Sequence, residues 1–496
     1  MIIDVSSTVW SPPRIRPVLY LIGNLLMVLA VCMLLPALAD GIAGNPDYLA
    51  FLLSGALTFA SGALITYFTR CDLRFKLTIR QAFILTPFSW LTIATFAALP
   101  LYFSDYAQLQ NSFTNAFFES MSGITTTGST VIVGLDTAPP GVLLWRALLQ
   151  WLGGIGIIAT AIAVFPALGV GGMQLFRTES SDRSEKVMPR VRQVTKAIGY
   201  VYLALTAACM LAYWIAGMTA FDALCHALTT ISTGGYSTSD GSMGNWNTPA
   251  LHWLATIFML SGAVPFVIYV RVMGGSYGAL RNSQLYSLLG FLAGIITLSA
   301  VWLLYERYYS FEEAFRHAAF NIVSVVTTTG YAISDYSLWG NAAIGVFFGL
   351  LFVGGCTGST AGGMKIFRFE VMALMLYGQF RRLIYPHGIF PHNYSGRPLP
   401  EDVISSVVVF FSLYFICYSV LTILLMGHDL DFLTSASASA TALSNVGPGL
   451  GQTIGPAGNF SSLPDTAKWL LSFAMLLGRL ELFTVLVLFF PQFWRD

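Results

Sequence analysis

Four segments gather hydroxyls and glycines inside an otherwise apolar chain: "TTTGST" from Thr125, "STGGYS" from Ser232, "TTTGYA" from Thr327 and "SNVGPGLG" from Ser444. Aligned on one glycine, they read Thr126-Thr127-Gly128, Ser232-Thr233-Gly234, Thr328-Thr329-Gly330 and Asn445-Val446-Gly447. Extended Thr/Ser-Gly backbone can aim carbonyl oxygens at an axis and replace the hydration shell of a cation. Glycine lacks Cβ, so it reaches the positive-φ conformations that turn a carbonyl inward. One "TTTG" is weak evidence, because Thr and Gly are ordinary at helix ends and in membrane packing. Four, each behind a short apolar helix candidate, are strong evidence for a cation selectivity filter. The C-terminal ends of those half-helices carry partial negative charge, which favours cations over anions.

Two further features break the apolar pattern. In "LLFVGGCTGSTAGGMKIFRFE", six of the ten residues Gly354, Gly355, Cys356, Thr357, Gly358, Ser359, Thr360, Ala361, Gly362 and Gly363 are glycine or serine. Each glycine costs a helix about 1 kcal/mol relative to alanine, so a break is expected there. The segment is not a phosphate loop, because its GxxxxG is followed by Met364 and not by lysine. It reads either as close packing through small residues or as a flexible loop obstructing a pore, with Lys365 a charge anchor at its end. Arg479 lies about 11 residues, ~16 Å, into an apolar run, too deep to reach either face easily. Such a charge marks a buried pair, with Glu481 or Glu119 as candidates, or a pathway. Glu119, Asp222, His226, Glu313, His317 and Asp431 sit in or near the half-helices and read either as hydrogen-bonded anchors of those helices or, for the acids, as outer charges that concentrate cations at a mouth.

The elements that must hold these residues follow from composition. The 496 residues are 55% hydrophobic and 10% charged, against about 25% charged in soluble domains. An all-α integral membrane protein is expected. The net charge of +1 suggests no nucleic acid partner. Six dispersed cysteines, Cys32, Cys71, Cys209, Cys225, Cys356 and Cys417, form no metal-binding or disulfide pattern and read as small core residues. No removable signal peptide is evident at the N-terminus.

A span needs about 20 apolar residues, and ten candidates emerge: 17–38, 48–69, 82–103, 143–170, 195–217, 250–271, 284–305, 341–377 (long and interrupted), 402–426 and 468–491. Half-length helices follow the third, fifth, seventh and ninth. The aligned glycines recur at intervals of 106, 96 and 117 residues, each enough for a span, a loop, a second span and a half-helix. Internal repetition of this kind dominates the fold. The chain therefore divides into an N-terminal pair of extra spans (1–75) and four span, half-helix, span repeats (76–185, 186–280, 281–395 and 396–496). Of the 25 Lys and Arg, 20 fall on one side of this arrangement, four (Arg146, Arg307, Arg316 and Lys468) on the other, and Arg479 inside a span. The positive-inside rule then puts both termini in the cytoplasm and all four glycine tails at the outer face.

These motifs, with "WLGGIGI", "GGCTGSTAGGMK" and "GRLE", resemble the Trk/Ktr/HKT superfamily of potassium transporters along the whole chain. The two leading spans look like its Trk-type branch. The resemblance implies four M1-P-M2 repeats around one pore, with ten spans and four re-entrant pore helices. It implies K⁺ as the transported ion with Rb⁺ as surrogate, because all four aligned residues are glycine. It further implies a gate at the Gly354–Gly363 loop, a pore barrier at Arg479, and a bacterial cytoplasmic membrane location. As partners it implies a second copy in a homodimer and a cytosolic ring of nucleotide-binding regulatory subunits. Those subunits would dock on the basic segments Arg177 to Lys196 and Arg381 to Pro398, which on composition alone fit topology determination and anionic lipid contact equally well. No covalent cofactor is implied, and nucleotide enters only through the partner. The fourth tail departs from the others, with Asn445 and Val446 in place of threonines and Pro448 after the glycine.

No catalytic order of Ser, His and Asp, and no HExxH, suggests an enzyme. An H⁺- or Na⁺-coupled secondary transporter would call for inverted repeats, and these repeats share one orientation. A voltage-gated channel would need a span with periodic Arg or Lys, which is missing from the sequence.

Overall fold

The computed structural model describes residues 15–70, 77–163, 187–306, 309–394 and 397–495. Residues 177–186 of the basic segment Arg177 to Lys196, with Cys71 and Arg307, lie outside them. The chain is a multi-pass all-α membrane protein. Among the described residues, seven helices are long and apolar enough to cross a bilayer, and two bent helix pairs raise this to nine. Helices α1 (Arg16–Cys32), α2 (Leu34–Ala43) and α3 (Tyr48–Phe68) form the leading pair of spans. α1 and α3 meet at glycines: a Cβ on Gly23 would come 2.8 Å from the Gly62 carbonyl. Small residues allow this approach, which is how apolar helices gain contact in a solvent as apolar as they are.

The remaining helices repeat one plan. α4 (Ile79–Tyr102), the short α5 (Phe113–Ile124) and α6 (Pro140–Ala163) make the first unit, and α7 (Val187–Ile215), α8 (Ala220–Ile231), α9 (Pro249–Ala263) and α10 (Phe266–Met273) the second. α11 (Ser283–Tyr305), α12 (Phe311–Val326), α13 (Asn341–Leu350) and α14 (Ile366–Ile384) make the third. In the fourth come α15 (Glu401–Met426), α16 (Phe432–Ser444), the single turn α17 (Gly451–Ile454), α18 (Asp465–Arg479), α19 (Leu482–Leu486) and α20 (Pro491–Trp494). A two-residue hairpin, β1 (Asn393–Tyr394) with β2 (Arg397–Pro398), follows α14. The long helices turn Leu203, Leu211, Ile416, Val420 and Ile423 outward, where an apolar solvent is required.

The four short helices are too short to cross a bilayer, and each begins at a side-chain cap. Ser112 accepts from the Asn115 N–H, Thr219 from Asp222 and Asp431 from Thr434, while Ser310 and Glu313 form a capping box. Such caps satisfy amide groups that the first turn leaves unpaired. Asp222, Glu313 and Asp431 thus belong to helix starts.

The break expected in the eighth span lies between α13 and α14. Two more spans, expected to be continuous, are broken as well. α9 and α10 bend by 92° and α18 and α19 by 114°. The first bend falls at Val264-Pro265, where proline lacks an N–H and holds the preceding residue extended. The second falls at Glu481, whose φ is +64°.

Candidate ion pathway

The short helices end in the same way. In the first, the Thr126 N–H bonds to the Gly123 carbonyl (2.9 Å) and the Thr127 N–H to Ser122 (2.9 Å). The same pair of bonds joins Thr233 to Thr230 and Gly234 to Thr229 in the second, and Thr328 to Val325 and Thr329 to Ser324 in the third. This is the Schellman ending, in which one residue turns left-handed to satisfy the last carbonyls. That residue is Thr126 (φ +53°), Thr233 (+51°), Thr328 (+56°) and, in the fourth helix, Asn445 (+55°). Positive φ is an outlier for a β-branched residue. Recurring at four equivalent places, it marks a shape the surroundings impose.

These endings correct the alignment of the second tail. Two residues beyond the left-handed turn stand Gly128 (φ +88°), Gly235 (+77°), Gly330 (+82°) and Gly447 (+112°). The second member is Gly235, and Gly234 takes the place of Thr127, Thr329 and Val446. Ser232 and Thr233 likewise move back one place, matching Thr125 and Thr126. The signal was present in the sequence: the dipeptide Gly-Tyr occurs at Gly235-Tyr236 and at Gly330-Tyr331.

In this register the tails close into a ring. A Cβ on Gly128 would overlap the Gly234 carbonyl oxygen, one on Gly235 that of Thr329, and one on Gly330 that of Val446. One on Gly447 would come 2.8 Å from the Thr127 oxygen. Each glycine therefore faces the carbonyl before the next glycine, round all four quadrants and back to the first. Alanine fits none of these positions, for lack of space and because of φ. Across the seams, Ser129 donates to the Gly447 carbonyl (2.8 Å) and the Asn445 amide to Thr127 Oγ1 (2.9 Å).

Behind the ring a set of buried polar groups is paired. Arg146 Nε contacts Glu119 Oε1 at 2.7 Å with both side chains buried, and Arg146 Nη1 donates to the Ser237 carbonyl (3.0 Å). The guanidinium also lies over the Tyr236 ring at 4.1 Å. Glu119 accepts from the Val131 N–H (3.0 Å). His226 donates from Nδ1 to the Asp222 carbonyl (2.8 Å), and its Nε2 lies 3.0 Å from Ser237 Oγ. His317 Nδ1 lies 3.0 Å from Ser334 Oγ. These residues anchor the short helices and their tails, as their positions suggested.

The loop from Gly354 to Gly363 is packed against the ends of the short helices. Thr360 Oγ1 lies 3.0 Å from the Ile231 carbonyl and 2.9 Å from that of Gly262, and the Gly362 N–H donates to Thr328 Oγ1 (2.6 Å). A Cβ on Gly362 would overlap the Ser444 carbonyl. Three broken spans converge on the loop: the Cys356 N–H bonds to the Ala263 carbonyl, the Phe266 N–H to the Gly358 carbonyl, and Arg479 Nη1 donates to the Thr360 carbonyl (2.8 Å). Thr357, Ser359 and Ala361 are buried with it. Backbone groups freed at the Val264-Pro265 break and in the loop bond to one another here, and the Arg479 side chain serves the loop from the third break, the condition for irregular backbone at membrane depth.

Arg479 has neither suggested carboxylate as partner. Glu119 is taken by Arg146, and Glu481 by Arg368 at 2.5 Å, with the Arg368 guanidinium over the Phe410 ring at 3.5 Å. Among the described residues Arg479 Nε and Nη2 find no hydrogen-bond partner, and the side chain borders a cavity with Gly358, Ala361, Gly363, Tyr414 and Glu481. Lys365, read as an outlying anchor, instead folds its ammonium back onto the Ala361 carbonyl and borders the same cavity.

Comparison with known proteins gives one consistent result. The TrkH family model, described as a cation transport protein, matches residues 49–293 and 304–495. The Trk system potassium uptake protein TrkI of Halomonas elongata is 48% identical over 485 residues, covering 97% of this chain and 98% of its own. The Trk system potassium uptake protein TrkH of Escherichia coli is 36% identical over 488 residues, covering 97% and 99%. The crystal structure of the potassium transporter TrkH from Vibrio parahaemolyticus superposes with a TM-score of 0.88 at 35% identity, covering 97% of this chain and all of the other.

Proposed function

Since this chain belongs to the TrkH family of cation transport proteins, we propose that it takes up K⁺ through a gated, channel-like pore, with the four-tail ring as selectivity filter. The observation that carries this reading is the closed ring of four left-handed glycines, each behind the C-terminal end of a short helix. Carbonyl oxygens at such a ring replace water around a dehydrated cation, and the helix ends add negative potential. Filter backbone is supplied by Thr126, Thr127 and Gly128, Thr233, Gly234 and Gly235, Thr328, Thr329 and Gly330, and Asn445, Val446 and Gly447.

The loop from Gly354 to Gly363 is the gate. It lies directly against the filter ends, held there by hydrogen bonds of Thr360 and Gly362 that can be exchanged, and contains the left-handed residues Gly358 (φ +80°) and Gly363 (+68°) as hinge points. Arg479 adds an electrostatic barrier: a mobile K⁺ passing Thr360 meets a guanidinium that forms no ion pair among the described residues. In the cell the protein sits in the bacterial cytoplasmic membrane with its glycine tails outward and both termini inside. It pairs as a homodimer and is governed by a cytosolic nucleotide-binding ring, and it needs no covalent cofactor of its own.

The test is Rb⁺ tracer uptake into proteoliposomes of the purified chain, competed by K⁺ or Na⁺, at imposed voltages without H⁺ or Na⁺ gradients. Voltage-driven uptake blocked by K⁺ and not by Na⁺ supports the pore. Uptake that appears only with an H⁺ or Na⁺ gradient replaces it with coupled transport.

A further inference from the structure

Gln150 lies on α6, in the first repeat, yet its side chain serves the second tail. It is fully buried. Its Nε2 donates to the Gly234 carbonyl at 2.6 Å, and its Oε1 accepts from the Tyr236 N–H at 3.0 Å. The two bonds bracket Gly235. One helical turn earlier, Arg146 donates to the Ser237 carbonyl, so a single face of α6 grips the strand from Gly234 to Ser237 at three backbone atoms.

The space that Gln150 fills is informative. At the position before the left-handed glycine, three tails carry a side chain, Thr127, Thr329 and Val446, and the second carries Gly234. A Cβ built on Gly234 would fall inside the Gln150 side chain, overlapping its amide and lying 2.8 Å from Cγ. In the first and third tails the threonine at this position is tied within its own tail, Thr127 Oγ1 to Thr125 Oγ1 (2.8 Å) and Thr329 Oγ1 to Thr327 Oγ1 (2.9 Å). The second tail cannot make that tie, and two successive glycines leave its backbone the freest of the four.

We propose that Gln150 is a specificity-determining positioning residue: it stands in for the missing side chain of residue 234 and holds the second quadrant's carbonyl at the spacing that suits K⁺. The proposal rests on the filter reading above. A quadrant free to close around a smaller cation would admit Na⁺, so loss of Gln150 lowers discrimination more than it lowers flux. The amide is required because one group must donate to Gly234 and accept at Tyr236 together, which neither leucine nor glutamate can do.

The experiment measures Rb⁺ and Na⁺ uptake by the full chain in proteoliposomes for the parent, Gln150→Leu, Gln150→Ala and the double variant Gln150→Ala with Gly234→Thr. Expected is a loss of about tenfold in K⁺ over Na⁺ preference in the single variants, the scale of one or two buried hydrogen bonds, with Rb⁺ uptake retained. The double variant restores discrimination, because threonine refills the slot as in the first and third tails. Single variants that fold and discriminate like the parent overturn the proposal. If the single variants fail to fold, a double variant that also fails, or folds without discriminating, overturns it as well. A parent that shows no K⁺ preference condemns the filter reading itself, a distinct outcome.

Discussion

Alanine at Gly235 and at Gly234 gives opposite predictions under the two alignments of the second tail. Gly235 has φ +77°, where an L-residue loses roughly 1–2 kcal/mol. Its new methyl group would also overlap the Thr329 carbonyl oxygen and approach the Gly330 carbonyl carbon at 3.4 Å. Both are backbone atoms of the neighbouring quadrant, so relief requires that carbonyl to leave the ring by roughly 1 Å, beyond what close packing absorbs. Strain alone accounts for about 5- to 30-fold, and loss of a coordinating oxygen carries the total past about a hundredfold in K⁺ preference. Gly234 has no positive φ, and three tails bear side chains at its position. Its methyl group first meets the Gln150 side chain, whose partial retreat costs about one hydrogen bond, roughly 0.5–1.5 kcal/mol or 2- to 10-fold. The assay is growth of a potassium-uptake-deficient bacterium on graded K⁺, with Rb⁺ uptake in competition with Na⁺, normalised to membrane-inserted protein. If Gly234→Ala impairs discrimination as much as Gly235→Ala, the register drawn from the helix endings is wrong.

Replacing Arg479 by Gln should raise Rb⁺ flux: at ~6 Å and an effective dielectric of ~20 its repulsion is about 3 kcal/mol, so a rise of about ten- to a hundredfold is expected. Unchanged flux with lowered melting temperature would make the residue structural. Thr360→Val removes a hydroxyl shared between the Ile231 and Gly262 carbonyls and should raise unstimulated uptake several-fold, roughly the worth of one hydrogen bond; a fall in uptake in folded protein refutes the gate assignment. Glu119→Gln strands the Arg146 charge and should destabilise the folded state by about 3–5 kcal/mol, read as a lower unfolding temperature in detergent and reduced membrane yield.

Much of this architecture was legible because it depends on local pattern. Apolar runs of span length, the four half-helices between them and the polar tails all follow from residues close in sequence, and so does the break at Gly354 to Gly363. The caps at Ser112, Thr219, Ser310 and Asp431 are of the same kind, since a cap joins residues three apart. The additional break at Val264-Pro265 carried a local signal in its proline, but its hydropathy resembles that of an intact span.

What the tertiary structure decided depends on groups far apart in the chain. Two adjacent glycines satisfy any search for a filter glycine equally, and only the helix-ending hydrogen bonds and the closure of the ring select Gly235 over Gly234. The partner of Glu119 proved to be Arg146 rather than Arg479, because a buried charge pairs with whatever the packing brings within reach, and sequence distance does not measure that. Gln150 reads in sequence as an ordinary polar residue near a helix middle. Its meaning appears only when α6 meets a tail 84 residues away, because a side chain that fills another residue's space leaves no local trace of doing so.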